Sequence, residues 1–170
     1  MTNGGDSAFE DWYREAWPKL VGSLVVIVGD REVAADVAAE AAVRVLERWE
    51  RGNIGHPTAW AHQVAINLAH RRARRQALEV RVLRHGRSAE EVVEPPATPS
   101  EVWAALRLLP QRQRTAIALR YLGDLTQAEI AQTMGISPGS VAATLHAARR
   151  RLAALLDLDE DEPRHCEVGT

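Results

Sequence analysis

Cysteine is almost missing from this chain. Cys166 is the only one in 170 residues, so neither a disulfide framework nor a cysteine-rich zinc site can hold the fold, and a reducing compartment suits it. Lysine is equally scarce, with Lys19 the sole example among 21 basic residues. Long apolar runs are absent too. The most hydrophobic stretch, Leu20 to Val28, is too short to span a bilayer and is broken by Gly22 and Ser23, while the acidic N-terminus lacks the basic start of a signal peptide. These absences predict a cytoplasmic protein without a membrane partner. No alternating strand pattern and no internal repeat is present. His56, His62, His70, His85, His146 and His165 form no HExxH or similar ligand set, and no glycine-rich loop follows a strand. The expectation is therefore a protein with no metal, no cofactor and no catalytic residues, and not an enzyme.

What remains is helix, and 46% hydrophobic residues suffice for a core built from it. The clearest signal runs from Leu125 to Val141. Thr126 is a good N-cap with Glu129 three residues on, Leu125 and Ile130 are placed as the flanking staple, and Gly135 can take the left-handed conformation that ends a helix. Ser137 followed by Pro138 then starts the next helix. This spells a helix-turn-helix. Its second helix keeps Val141, Leu145, Ala148, Leu152 and Leu155 on an inner face and turns Gly139, Ala142, Ala143, His146, Arg149 and Arg150 outward, where a DNA major groove can receive them.

Further upstream, Ser7 with Glu10 reads as a capping box for a helix that Pro18 kinks or divides. Asp30 caps a second helix in which Val33, Val37, Ala41, Val45 and Trp49 recur at near-helical spacing. Arg51 to His56 reads as a loop, and Pro57 opens a third helix with Trp60, Val64 and Leu68 inward. That helix runs into Arg71, Arg72, Arg74, Arg75, Arg81, Arg84 and Arg87, which face only Glu79 as an acid and so suit phosphates. Between about His85 and Ser100 the chain turns to small, acidic and proline residues, a linker composition. A new helical pattern begins near Ser100 with Val102, Trp103, Leu106 and Leu109, and Pro110 restarts it into Ile117, Leu119, Tyr121 and Leu122. Asp157, Asp159, Glu160, Asp161, Glu162 and Glu167 against Arg164 leave the tail near −5 and the body near +3, although the whole chain carries only −2. The predicted fold is all-α: two small helical domains joined by a flexible linker, the C-terminal one containing the helix-turn-helix. The expected division is 1–84, a linker 85–99, 100–156 and an acidic tail 157–170.

Leu109-Pro110-Gln111-Arg112-Gln113-Arg114, Leu119-Arg120-Tyr121-Leu122, Leu125-Thr126-Gln127-Ala128-Glu129-Ile130-Ala131, Gly139-Ser140-Val141 and Leu145-His146 resemble region 4 of the extracytoplasmic-function (ECF) sigma factors of bacteria. Gly29-Asp30-Arg31, Ala35-Asp36-Val37 with Glu40, and Pro57-Thr58-Ala59-Trp60 with Val64, Asn67 and the arginine run are similar to region 2 of the same family. The resemblance implies a protein that binds core RNA polymerase, at the beta-prime clamp and the beta flap, and directs it to promoter DNA, with an anti-sigma factor as a further partner left open. It implies polymerase contacts at Asp36, Glu40, Arg44 and Arg48. It also implies a minus-ten reader in the loop Arg51 to His56 and the helix after it, with Trp60 and Asn67 near an unstacked base and Arg71, Arg72, Arg74 and Arg75 on phosphates. Trp60 keeps a second reading as a core residue, because it shares helical register with Val64.

The minus-thirty-five reader implied is the second helix of the helix-turn-helix, with Ser137, Ser140, Arg149, Arg150 and Arg151 on the backbone, His146 toward a base edge, and Ala142 and Ala143 on the same DNA-binding face. Here the chain departs from its relatives, which commonly carry basic residues where it has Ala142, Thr144 and Ala147. Fewer cations release fewer counterions, so groove binding is weaker or rests on thymine methyls. Two alternatives stay open on the residues alone. One is a helix-turn-helix regulator that binds DNA without polymerase, the other a decayed sigma-like interaction protein that starts no transcripts.

Overall fold

Asp30, extended at φ −123°, accepts a hydrogen bond from the Val33 N–H at 2.9 Å and so starts one helix, just after Gly29 at φ +85° has closed the helix before it. In the computed structural model, seven α-helices follow in chain order, and no strand occurs among the described residues, which are 3–83 and 101–157, with backbone alone for 3–6 and 79–83. The helices are α1 (Asn3–Val28), α2 (Arg31–Glu50), α3 (Pro57–Leu83), α4 (Glu101–Leu108), α5 (Gln111–Tyr121), α6 (Gln127–Met134) and α7 (Pro138–Leu155). The linker expected at 85–99 and the acidic tail beyond 157 lie outside the described residues.

Two expectations for the first helix are corrected. α1 begins at Asn3, four residues before Ser7, which is therefore helical and not a cap. Nor does Pro18 divide it: the helix continues to Val28. Pro18 and Arg14 are both exposed, so the Arg14 carbonyl that loses its amide partner faces water, which can satisfy it.

α1, α2 and α3 form one helical unit, and α4 to α7 form another. In the first, Leu20, Leu24, Val37, Ala41 and Val45 are buried to 2% exposure or less, each large aliphatic contributing about 1.5–3 kcal/mol by leaving water. Alanine lets the backbones approach closely: Ala34, Ala38, Ala41, Ala61 and Ala65 all lie in this core. The inward face of α3 differs from the expected one. Trp60 and Val64 are only partly buried, while Ala61, His62, Ala65, Leu68 and Ala69 are buried, so the small residues face the neighbours and Trp60 sits at the edge.

In the second unit the local signals hold. Thr126 and Glu129 form the reciprocal capping box, Gly135 closes α6 at φ +65°, and Ser137 caps α7 by accepting from the Ser140 N–H at 3.1 Å. Leu125, Ile130 and Val141 are at 1% exposure or less. The inner face of α7 ends sooner than expected, because Leu155 in the last turn is exposed.

The two units pack on each other, α5 and α4 against α1 and α6 against α3. Their cores merge into one hydrophobic cluster.

Candidate nucleic-acid interface

The loop between α2 and α3 is held from below by the side chain of Arg48. Its Nε donates to the Asn53 carbonyl at 2.6 Å, and its guanidinium lies 5.1 Å from the ring centroid of Trp60. Gly52 at φ +65° turns the chain there. Together Arg48, Asn53, Ile54, Gly55, His56, Ala59, Trp60 and Gln63 line a cleft of about 200 Å³, closed on its far side by Gln132 and Thr133 of α6. That volume is below the range of about 300–1,000 Å³ typical of small-molecule sites, and suits a single planar group. Between α1 and α2 stands an aromatic cluster that pattern reading missed. Phe9, Trp12 and Trp49 meet with centroids 5.5–6.0 Å apart, and Trp12 Nε1 donates to Thr58 Oγ1 at 3.0 Å, tying α1 to the first turn of α3. The signal was available in the i, i+3 spacing of Phe9 and Trp12, but their partners Trp49 and Thr58 are distant in sequence.

Beyond Trp60, α3 exposes Asn67, Arg71, Arg72, Arg74 and Arg75. Arg72 stands apart from the others, since its Nη1 lies 3.1 Å from Asp36 Oδ2 and its Nη2 lies 3.7 Å from Glu40 Oε2. Glu40 also pairs with Arg44 at 2.6 Å. Asp36, Glu40 and Arg44 thus share one network on α2, exposed at Asp36 and partly buried at Glu40 and Arg44, joined to α3 through Arg72. Arg48, expected with them, turns instead into the loop and the Trp60 ring.

On the other unit, Ala142, Ala143, His146, Arg149 and Arg150 are exposed on one side of α7. The Ser137 and Ser140 hydroxyls lie 2.9 Å apart at the start of that helix, with Ser137 exposed and Ser140 partly buried. Arg149 Nη1 reaches the Tyr121 hydroxyl at 3.4 Å. Among the described residues, no group of three or more His, Cys, Asp and Glu is placed to hold a metal. No helix among them is long and apolar enough to cross a membrane.

At the contact between the units, His62 is fully buried. Its Nδ1–H donates to the Thr58 carbonyl at 2.8 Å and its Nε2 meets Ser23 Oγ at 2.9 Å. Burial disfavours the imidazolium, so the ring titrates below the ordinary histidine range despite the pull of the Thr58 carbonyl and Glu129. Glu129 is shifted down as well. Burial works against its charged form, but the Thr126 hydroxyl and backbone N–H, and His56, outweigh it.

The described chain thus combines a helix-turn-helix, an exposed arginine face on α3 and a small cleft at the start of that helix. The description "Sigma-70 region 2" matches residues 12–79 and "Sigma-70, region 4" matches residues 100–152. The chain is 30% identical over 157 residues to an RNA polymerase sigma-E factor of Streptomyces coelicolor, covering 89% of each chain. It is 28% identical to the RNA polymerase sigma-E factor of Streptomyces avermitilis, over 98% of this chain and 95% of that one. Among solved structures it is similar to the sigma factor RpoE of Bartonella quintana, in complex with the anti-sigma factor NepR. There the TM-score is 0.76 at 22% identity, over 90% of this chain and 99% of the other. CnrH, in complex with the cytosolic domain of CnrY, gives 0.61 at 21% identity over 92% of each. The chain belongs to the sigma-70 family, in its ECF group. Its work is promoter-directed initiation of transcription with RNA polymerase.

Proposed function

We propose that the cleft under Trp60 receives an unstacked base of the minus-ten element while α7 reads the minus-thirty-five element. The observation that carries this reading is the half-buried Trp60 face beside a cleft of single-base size, continuous with the exposed arginines of α3. A flipped base loses stacking and regains it on an aromatic surface, at about 1–3 kcal/mol per base. Asn67, Arg71, Arg74 and Arg75 then follow the strand, and Ser137, Ser140, Ala142, Ala143, His146, Arg149 and Arg150 face the upstream duplex. Asp36, Glu40 and Arg44 form the polymerase contact. Arg48 is a positioning residue of the cleft and takes no part in that contact. No covalent step is assigned to any residue.

An anti-sigma factor, as seen on the Bartonella quintana neighbour, is a partner proposed here by likeness, and the cytoplasm is the proposed location. The proposed domain limits stay at 1–84 and 100–156.

Purified chain with core polymerase and a genomic DNA pool, followed by mapping of transcript starts, tests the reading. Starts that share two upstream elements are expected, with Trp60→Ala slowing strand opening at least tenfold while leaving the affinity for core polymerase unchanged. Starts without a shared minus-ten element, or full opening by the Trp60→Ala chain, would overturn it.

A further inference from the structure

Two hollows on the helix-turn-helix unit lie apart from the base cleft. The larger is a chamber of about 400 Å³ whose wall is formed by Val102 and Leu106 of α4, Ile117 of α5 and Leu152 of α7, with Val26 of α1 also in it. Among the described residues, the only polar side chains lining it are Tyr121 and Arg149. These two meet each other, with Arg149 Nη1 3.4 Å from the Tyr121 hydroxyl. Val102 and Tyr121 keep more than half of their surface in water, and Leu122, which also lines the chamber, keeps 40%. Apolar surface gathered in one exposed place marks a binding site.

The second hollow is more open and differs in kind. His146, Arg149, Arg150 and Ala153 line it, so an imidazole and two guanidiniums border its space, and among the described residues no carboxylate lines either hollow. Arg149 and Ala153 belong to both. An apolar chamber therefore meets a cationic depression at a shared arginine, which is the plan of a site for a molecule with two unlike ends.

We propose that the joined hollows bind a soluble fatty carboxylate, with its alkyl chain in the chamber and its head on Arg149 and Arg150. Arginine suits that head, because the guanidinium fork meets a carboxylate through two parallel N–H donors. The size of the chamber favours a single chain over a protein segment. A helix with its side chains is about 10–12 Å across, so 400 Å³ accepts only about one turn of it, whereas small-molecule sites run from about 300 to 1,000 Å³. In the function proposed above, Arg149 and Arg150 also face the upstream duplex, so ligand and DNA phosphate draw on the same cations. That consequence rests on the proposed function; the site itself does not.

Decanoate, titrated calorimetrically into the full chain below its micelle concentration, is the probe. Binding at one site is expected, tightening about fourfold with each methylene from octanoate to decanoate as each CH₂ leaves water. Decanol, with the same tail and no charge, should bind at least tenfold more weakly. Arg149→Gln should remove that preference for the carboxylate, and Ala153→Phe, which fills the place the hollows share, should weaken binding at least tenfold. Should Ala153→Phe fail to fold, Arg149→Gln at an exposed position still decides.

No saturable binding of decanoate, equal binding of decanol, or an affinity that Arg149→Gln leaves unchanged would overturn the site. Two other outcomes would overturn it by naming a different occupant. A chain that ignores decanoate yet collects on vesicles of anionic lipid would make these cations a membrane contact. A chain in which Ala153→Phe abolishes binding of core polymerase, while decanoate never binds the unaltered form, would give the chamber to a protein helix.

Discussion

Arg48 lies with its guanidinium 5.1 Å from the centre of the Trp60 ring, and the same side chain anchors the Asn53 carbonyl at 2.6 Å. One residue thereby fixes both the floor and the rim of the proposed base cleft. A cation over an indole contributes about 0.5–1 kcal/mol at exposed sites, and a charge-assisted hydrogen bond adds about 1.5–3 kcal/mol. Arg48→Gln is therefore expected to slow open-complex formation about tenfold or more and to flatten the response to base changes in the minus-ten element. Arg48→Lys should recover part of the loss, keeping the charge and losing the planar fork. Titration with labelled core polymerase should give an unchanged affinity for both variants. A matching loss of core affinity would return Arg48 to the polymerase face.

The Thr126 cap gives a second expectation. The Thr126 hydroxyl accepts from the Glu129 N–H, and the Glu129 carboxylate accepts from the Thr126 N–H at 2.8 Å and from its hydroxyl at 2.7 Å. Replacing such a cap by alanine costs about 0.5–2 kcal/mol, which in a chain of this size lowers Tm by about 2–4 °C per kcal/mol. Glu129 titrates below its ordinary value when folded, so its contribution is complete above the unfolded carboxylate value of 4.5 and is lost as pH falls through the folded one. Thermal melts of Thr126→Ala against the unaltered chain should differ at pH 7 and converge at acid pH. A gap that persists unchanged in acid would show that the carboxylate is not part of the cap's contribution.

His62 predicts a pH response at a milder range. Its folded value lies below the ordinary 6.5, so the unfolded chain takes up the proton first. Stability is then complete above about 6.5 and declines as pH falls below it toward the folded value. The groups that face the ring are the Thr58 carbonyl on α3, Ser23 Oγ on α1 and, more distantly, Glu129 on α6. Urea midpoints at pH 7.5 and 5.5 should fall further for the unaltered chain than for His62→Gln, which offers a donor and an acceptor without a titrating group. Parallel declines would mean that other groups set the response.

What could be read from the residues divides along the distance between partners. The helix-turn-helix was legible because each of its signals is local: Thr126 and Glu129 are three residues apart, as are Ser137 and Ser140. The face of α3 was legible only in part. Leu68 is buried as expected, with Ile66 beside it, but Trp60 and Val64 are not, because α1 and α2 approach so closely that alanines occupy much of the contact and Trp60 is pushed to the edge. Hydrophobic periodicity weighs side-chain size and cannot see how near a neighbouring backbone comes. The contact between the units lay further out of reach, since its partners Lys19 and Asp124 are 105 positions apart and both look like ordinary exposed charges. The direction of Arg48 is hidden for the same reason, because helical spacing sets it in line with Arg44 while its head group turns to the loop that follows.

The arginines of α3 supply the last expectation, and they are not equivalent. Arg71, Arg74 and Arg75 are exposed and carry no ion pair among the described residues, whereas Arg72 is bound to Asp36 and Glu40. A cation that neutralises a single-strand phosphate contributes about 0.7 to the slope of log affinity against log salt, because it releases a condensed counterion. Substituting Arg71, Arg74 or Arg75 by Gln in the holoenzyme should therefore flatten the salt dependence of binding to forked promoter DNA by about that amount each. Between 50 and 200 mM salt this is about a 2.5-fold change in relative affinity per residue. Arg72→Gln should flatten it by less, since Asp36 already neutralises that guanidinium, and should weaken the contact between α2 and α3 instead. Equal slopes for all four substitutions would place Arg72 on the nucleic acid and make its pairing with Asp36 a feature of the DNA-free chain alone.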